Sequence, residues 1–136
     1  MGRRGGVVAG YRSRMPGIAR LQLTAIDCPD PEALADFYGC ITGWPVGHRD
    51  DDWVQLDNGG DHTLAFQLAP GHQPPPWPEP DGAQQAHLDF LVDDLDAGEQ
   101  AVLAIGARRT EVQPEPAAFR VYLDPAGHPF CLVLDT

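Results

Sequence analysis

Residues 87–97 read His87-Leu88-Asp89-Phe90-Leu91-Val92-Asp93-Asp94-Leu95-Asp96-Ala97, and this stretch decides the fold. Ala86 to Val92 carries the residue types and length of a strand. The pattern then changes period. Asp94 is placed to cap a helix whose apolar stripe is Leu95, Val102 and Ile105, and Gly106 is placed to end it. The same strand-then-helix unit occurs earlier in the chain. Within Ile18 to Ile26, the residues Leu21, Leu23 and Ala25 alternate with Gln22, Thr24 and Ile26, a period-two pattern. Asp30 is then an N-cap with Pro31 at the first helical position. Leu34, Phe37, Tyr38 and Ile41 form one apolar stripe, and Gly43 is suited to a left-handed stop.

Three short strands are expected after each helix. In the first half they are Trp44 to His48, Trp53 to Asp57 and Thr63 to Leu68; in the second, Arg108 to Val112, Phe119 to Leu123 and Pro129 to Leu134. Turn residues separate them, at Asn58-Gly59-Gly60 and Asp124-Pro125-Ala126-Gly127 among others. Each half therefore reads strand, helix, strand, strand, strand, and the repeat is architectural information in itself. The expected class is α+β: two βαβββ modules whose curved mixed sheets enclose a cleft, with helices outside. Residues 1–16 read as a disordered arm and 17–136 as one domain, with module one at 17–69 and module two at 84–136. Between them, residues 70–83 form a connector whose Pro74-Pro75-Pro76-Trp77-Pro78 run continues neither sheet nor helix.

Composition narrows the function classes. The formal net charge is −11, there is no lysine, and four of the nine arginines lie in the first sixteen residues. A chain so acidic has no basic stripe to neutralise phosphates, which argues against nucleic acid and anionic membrane surfaces as partners. Lysine-dependent phosphate loops and Schiff bases are excluded. No apolar run reaches the length of a membrane span, and no signal-peptide pattern is seen. Cys28, Cys40 and Cys131 are widely spaced and suggest neither a disulfide framework nor a zinc knuckle. A cytoplasmic location with free thiols is the expectation.

The two helix starts and the late turn carry a resemblance. Asp36-Phe37-Tyr38 with Gly43-Trp44, the stretch His87 to Ala97, and Asp124-Pro125-Ala126-Gly127-His128-Pro129-Phe130-Cys131-Leu132-Val133 together resemble the vicinal oxygen chelate superfamily of glyoxalases, bleomycin-resistance proteins and extradiol dioxygenases. The wording is most similar to glyoxalase-like domain proteins, over about residues 17 to 135. The resemblance implies a cleft between paired modules, within one chain or across a dimer, and a homodimer is the expected assembly. It also implies, in the enzymes, a divalent metal held by the first and last strands of each module.

Carried over residue by residue, that metal set becomes Leu21, Gln67, His87 and Cys131, with Ala65 in place of Gln67 if the alignment moves by two. Leucine cannot bind a metal, and Gln22 would replace it only after a register shift. The resemblance thus implies an incomplete tetrad, with no cofactor as the first expectation and a divalent metal on His87, Gln67 and Cys131 as the alternative. The expected ligand-binding residues are Leu21, Leu23, Trp44, Trp53, Gln67, His87, Asp89, Tyr122 and Cys131. His87 is the catalytic candidate, with Asp89 two residues on and on the same face to orient it. A small-molecule binder, a lyase-, isomerase- or dioxygenase-type enzyme, and a non-catalytic interaction module are the functions in view.

Overall fold

The computed structural model describes residues 17–77, 82 and 85–136. The expected arm at 1–16 and part of the connector lie outside the described residues. The elements run β1 (Leu23–Cys28), α1 (Pro31–Thr42), β2 (Val46–Asp50), β3 (Trp53–Leu56), β4 (Thr63–Leu68), β5 (Leu88–Val92), α2 (Leu95–Ala104), β6 (Arg108–Arg109), β7 (Phe119–Leu123) and β8 (Pro129–Leu134). They form two four-stranded mixed sheets of matching order, β1-β4-β3-β2 and β5-β8-β7-β6. In each, the first strand runs parallel to the last, and the other pairings are antiparallel. This is the duplicated βαβββ architecture that the repeat predicts.

Both helices begin as their sequences dictate. The Asp30 carboxylate accepts the Ala33 N–H and the Asp94 carboxylate accepts the Ala97 N–H, each satisfying a donor the helix leaves free. Gly43 closes α1 in a left-handed conformation, φ 78°. Element edges depart from expectation where local pattern has no partner to act on. The first strand starts at Leu23 rather than Ile18, and Ile18 is fully exposed. The second strand begins at Val46, because Trp44 packs against the core under the helix end instead of entering the sheet. β6 shortens to two residues. Beyond it Gln113 turns its side-chain amide onto the backbone of Val121, donating to the carbonyl and accepting from the N–H, where a longer strand would have paired.

The core is continuous across the modules, and α1 makes it so. Tyr38 stacks on Phe66 of the first sheet at 5.6 Å and on Phe90 of the second at 6.0 Å. Phe37 and Tyr38 both meet the edge of Phe130. The Tyr38 hydroxyl, fully desolvated, donates to Asp124 at 2.6 Å. The two modules therefore pair within the chain. Strand alternation assigns the faces. Val54, Phe66, Phe90 and Phe130 look toward the helices, so their alternates look away from them: Gln55, Ala65 and Gln67 in one sheet, Asp89, Leu91 and Cys131 in the other.

Candidate functional site

A polar group rises from β5 and β8. Asp89 and Cys131 are cross-strand partners in the parallel ladder, so both side chains leave the sheet on its helix-free face. His87, two residues before Asp89, follows the same alternation. His87 Nε2 lies 3.2 Å from Asp89 Oδ1, and a ligand atom of Cys131 completes a group whose members all lie within 4.8 Å of one another. Cys131 is only 5% exposed. Burial, reinforced by the neighbouring Asp89 carboxylate, pushes its thiol up to about 11, so the metal-free side chain is a neutral thiol at physiological pH.

A cavity of about 770 Å³ opens beside this group. β1 and β5 are outer strands of their sheets, and the cavity occupies the seam between them. Residues 24–27 form one side and 85–88 the other. Tyr38 lines it as well, and the connector residues 72–76 and the His128-Pro129 corner complete the wall. Contacts with the 124–128 turn hold the connector there, and the turn itself is tied to β1. His72 Nε2 lies 3.0 Å from the Ala126 carbonyl, and its ring sits 4.8 Å from that of His128. His128 Nε2 lies 2.7 Å from the Asp27 carbonyl; since carbonyls only accept, both nitrogens carry their protons. Gly127, at φ 91°, leaves room for Pro74, which a Cβ there would meet at 2.5 Å.

The sequence-expected residues divide sharply. His87 lines the cavity and belongs to the polar group. Asp89 and Cys131 belong to the polar group only. Gln67 and Trp53 are paired on the helix-free face of the other sheet and line neither. Tyr122 looks the other way: fully buried, it stacks on Phe130 and donates to Glu99 of α2 at 2.9 Å. Trp44 is a core contact. Leu21 lies before β1, is 59% exposed and lines nothing described here. The cavity residues that spacing did not single out are Asp27, Tyr38, His72 and His128. His128 reads locally as a surface turn residue and Tyr38 as core. Only the convergence of the connector on the 124–128 turn brings them to one space.

The structure also corrects the alignment of the modules. His87 stands seven residues before the N-cap Asp94, and seven before the N-cap Asp30 is Leu23, not Leu21. In the last strands, Leu68 bonds the Asp52 carbonyl as Leu134 bonds that of Ala118, so the match to Cys131 is Ala65. Leu23 and Ala65 have no donor atoms. The residues present do not fit a four-ligand metal shared between modules, and Gln67 does not join the group of His87, Asp89 and Cys131.

Comparison with known proteins agrees with this architecture. A structure of a glyoxalase/bleomycin resistance protein/dioxygenase family enzyme from Burkholderia phytofirmans PsJN superposes with a TM-score of 0.65 at 20% identity, over 85% of this chain and 98% of that one. A glyoxalase-related enzyme from Fulvimarina pelagi gives 0.60 at 18%, over 87% and 89%. The bleomycin-binding protein of Streptomyces verticillus, solved with copper(II)-bleomycin, gives 0.54 at 17%, over 89% and 100%. At these identities the likeness is one of fold. No curated protein is a significant match. The profile of the glyoxalase-like domain family matches residues 24–133, and with the duplicated βαβββ architecture in place the chain belongs to that family, within the vicinal oxygen chelate superfamily.

Proposed function

We propose that this chain binds a small molecule in the seam between its modules. The observation that carries the reading is the cavity itself. At about 770 Å³ it falls in the range of small-molecule sites. Its wall mixes apolar surface from Ala25, Ile26, Leu88 and the prolines 74–76 with a few polar groups, chiefly His72, His87, His128 and Asp27. Such a wall suits a largely apolar ligand oriented by a few hydrogen bonds. One chain builds the whole cavity, so the reading does not require a dimer. Nor does it call on a metal shared between modules.

The test is a thermal-shift screen of the full chain against a metabolite and antibiotic library, with affinities of the hits measured by calorimetry. His87→Ala is expected to weaken a hit by about tenfold, roughly the worth of one hydrogen bond in a desolvated site. Ala25→Trp is expected to abolish binding by filling the space, with the circular dichroism spectrum of each variant unchanged. Hits that bind both folded variants as well as the parent would overturn the assignment.

The 3.2 Å approach of His87 to Asp89 favours a second, catalytic reading in which His87 moves a proton to or from the bound molecule. That reading expects a hit with an acidic C–H to exchange it for deuterium in heavy water, and the exchange to be lost in His87→Ala.

A further inference from the structure

The cavity between the modules has a one-sided supply of hydrogen-bonding groups. His72, His87 and His128 line it, and each has one nitrogen already committed. His72 Nε2 donates to the Ala126 carbonyl at 3.0 Å, and His128 Nε2 to the Asp27 carbonyl at 2.7 Å. His87 Nε2 stands 3.2 Å from Asp89 Oδ1, and a carboxylate holds the proton on the nitrogen that faces it. A neutral ring carries one N–H, so Nδ1 of each histidine is left as a bare lone pair. Tyr38, also in the wall, has already given its hydroxyl proton to a hydrogen bond with Asp124 at 2.6 Å.

The charge of the wall points the same way. Asp27 adds a carboxylate, and no arginine stands among the described residues of the wall. The chain has no lysine and a formal net charge of −11. Thr24, Gln73 and Gln85 complete the polar side chains of the wall. They accept as readily as they donate, and none of them neutralises an anion. A bound carboxylate or phosphate would meet lone pairs and a like charge, with no cation to offset its desolvation. An ammonium group has only donors to give and satisfies several such acceptors at once. We propose that the cavity selects a monocationic amine, with its ammonium group beside Asp27 and the imidazole lone pairs and an apolar body over Ala25, Ile26 and Leu88. The proposal rests on the cavity being a small-molecule site and adds the charge class of its occupant.

Three probes of similar shape separate charge from fit: naphthylethylamine, naphthylethanol and naphthylacetate. Their affinities for the full chain are measured by calorimetry at pH 8, above the usual range of imidazole titration. The amine is expected to bind about tenfold tighter than the alcohol, the worth of one charge-assisted hydrogen bond in a partly screened site. The carboxylate is expected to bind more weakly than either. Asp27→Asn changes an exposed side chain and keeps the backbone carbonyl that holds His128. It should cut the lead of the amine to about threefold or less and leave the alcohol unchanged. Ala25→Trp should abolish binding of amine and alcohol alike, which separates the cavity from general attraction of amines to an acidic surface. Circular dichroism checks that both variants are folded. Equal affinity for amine and alcohol, a carboxylate that binds as tightly as the amine, or a lead unchanged in Asp27→Asn would each overturn the charge class and leave the cavity a binding site. No binding of the amine would overturn the proposal whatever the other probes do. Amine and alcohol both retained by folded Ala25→Trp would overturn it together with the assignment of the cavity.

Discussion

The Tyr38 hydroxyl donates to Asp124 at 2.6 Å, joining the first helix of module one to the last turn of module two in a fully buried contact. The same carboxylate accepts the backbone N–H groups of Ala126 and His128. One buried anion is thus held by three donors, two of which shape the turn that anchors the connector. Tyr38→Phe removes one donor and leaves Asp124 less well satisfied. A loss of about 1.5–3 kcal/mol is expected, the range for a hydrogen bond to a charged group, read as a lower urea midpoint with the slope unchanged.

Alkaline pH should weaken the fold before it touches the surface charge pairs. Burial is the main cause that pushes the thiols of Cys28 and Cys131 up to about 11, from an ordinary value of 9.0. Each thiol deprotonates more easily in the unfolded chain than in the native one. Their contribution is therefore full below pH 9 and lost as pH rises towards 11, at roughly 2–3 kcal/mol per thiol. Burial beside Asp124 raises Tyr38 in the same sense. Chemical denaturation at pH 8, 9, 10 and 11 should show a progressive fall. Alkylation at pH 8 should modify the exposed Cys40 far ahead of Cys28 and Cys131.

Gly127 and Gly59 offer a matched pair. Both have positive φ, 91° and 82°, but a Cβ at Gly59 meets nothing within 4 Å, whereas one at Gly127 would stand 2.5 Å from Pro74. Gly59→Ala should cost about 1 kcal/mol, the conformational term alone. Gly127→Ala should cost at least about 1 kcal/mol more, because the connector must move off the turn. Equal costs in thermal melts would show that the connector is not seated on Gly127.

The two helix caps are equivalent in geometry, at 3.1 Å for Asp30 and 3.0 Å for Asp94. Asp30→Ala and Asp94→Ala should each cost about 1 kcal/mol. The double variant should lose close to the sum, since the caps share no partner. A clear departure from additivity in calorimetric unfolding would mean that one helix end is held by something other than its cap.

Much of the fold was legible because its signals are local. Asp30, Gly43 and Asp94 act within a turn of where they stand, and alternation in β5 and β8 depends only on neighbouring residues. The site was legible only in part. His87 and Cys131 could be named because the resemblance carries the family's ligand positions onto them, and Asp89 because strand alternation puts it on the face of His87. Tyr122 was misplaced for a physical reason: an aromatic with a polar tip suits a cleft wall as well as a core, and here Glu99 on α2 satisfies its hydroxyl from the helix side. Leu21 was misplaced because strand pattern alone leaves register uncertain by two residues, and only the N-caps fix the offset that makes Leu23 the counterpart of His87.

By itself the sequence determined the periods, the caps and the duplication, and with them two βαβββ modules. Those properties follow from contacts between residues close along the chain. The tertiary structure decided where the cavity lies. His72, His128, Asp27 and Tyr38 meet across long separations, beside a connector with no period to read, and the Tyr38–Asp124 contact joins the two modules through one shared core.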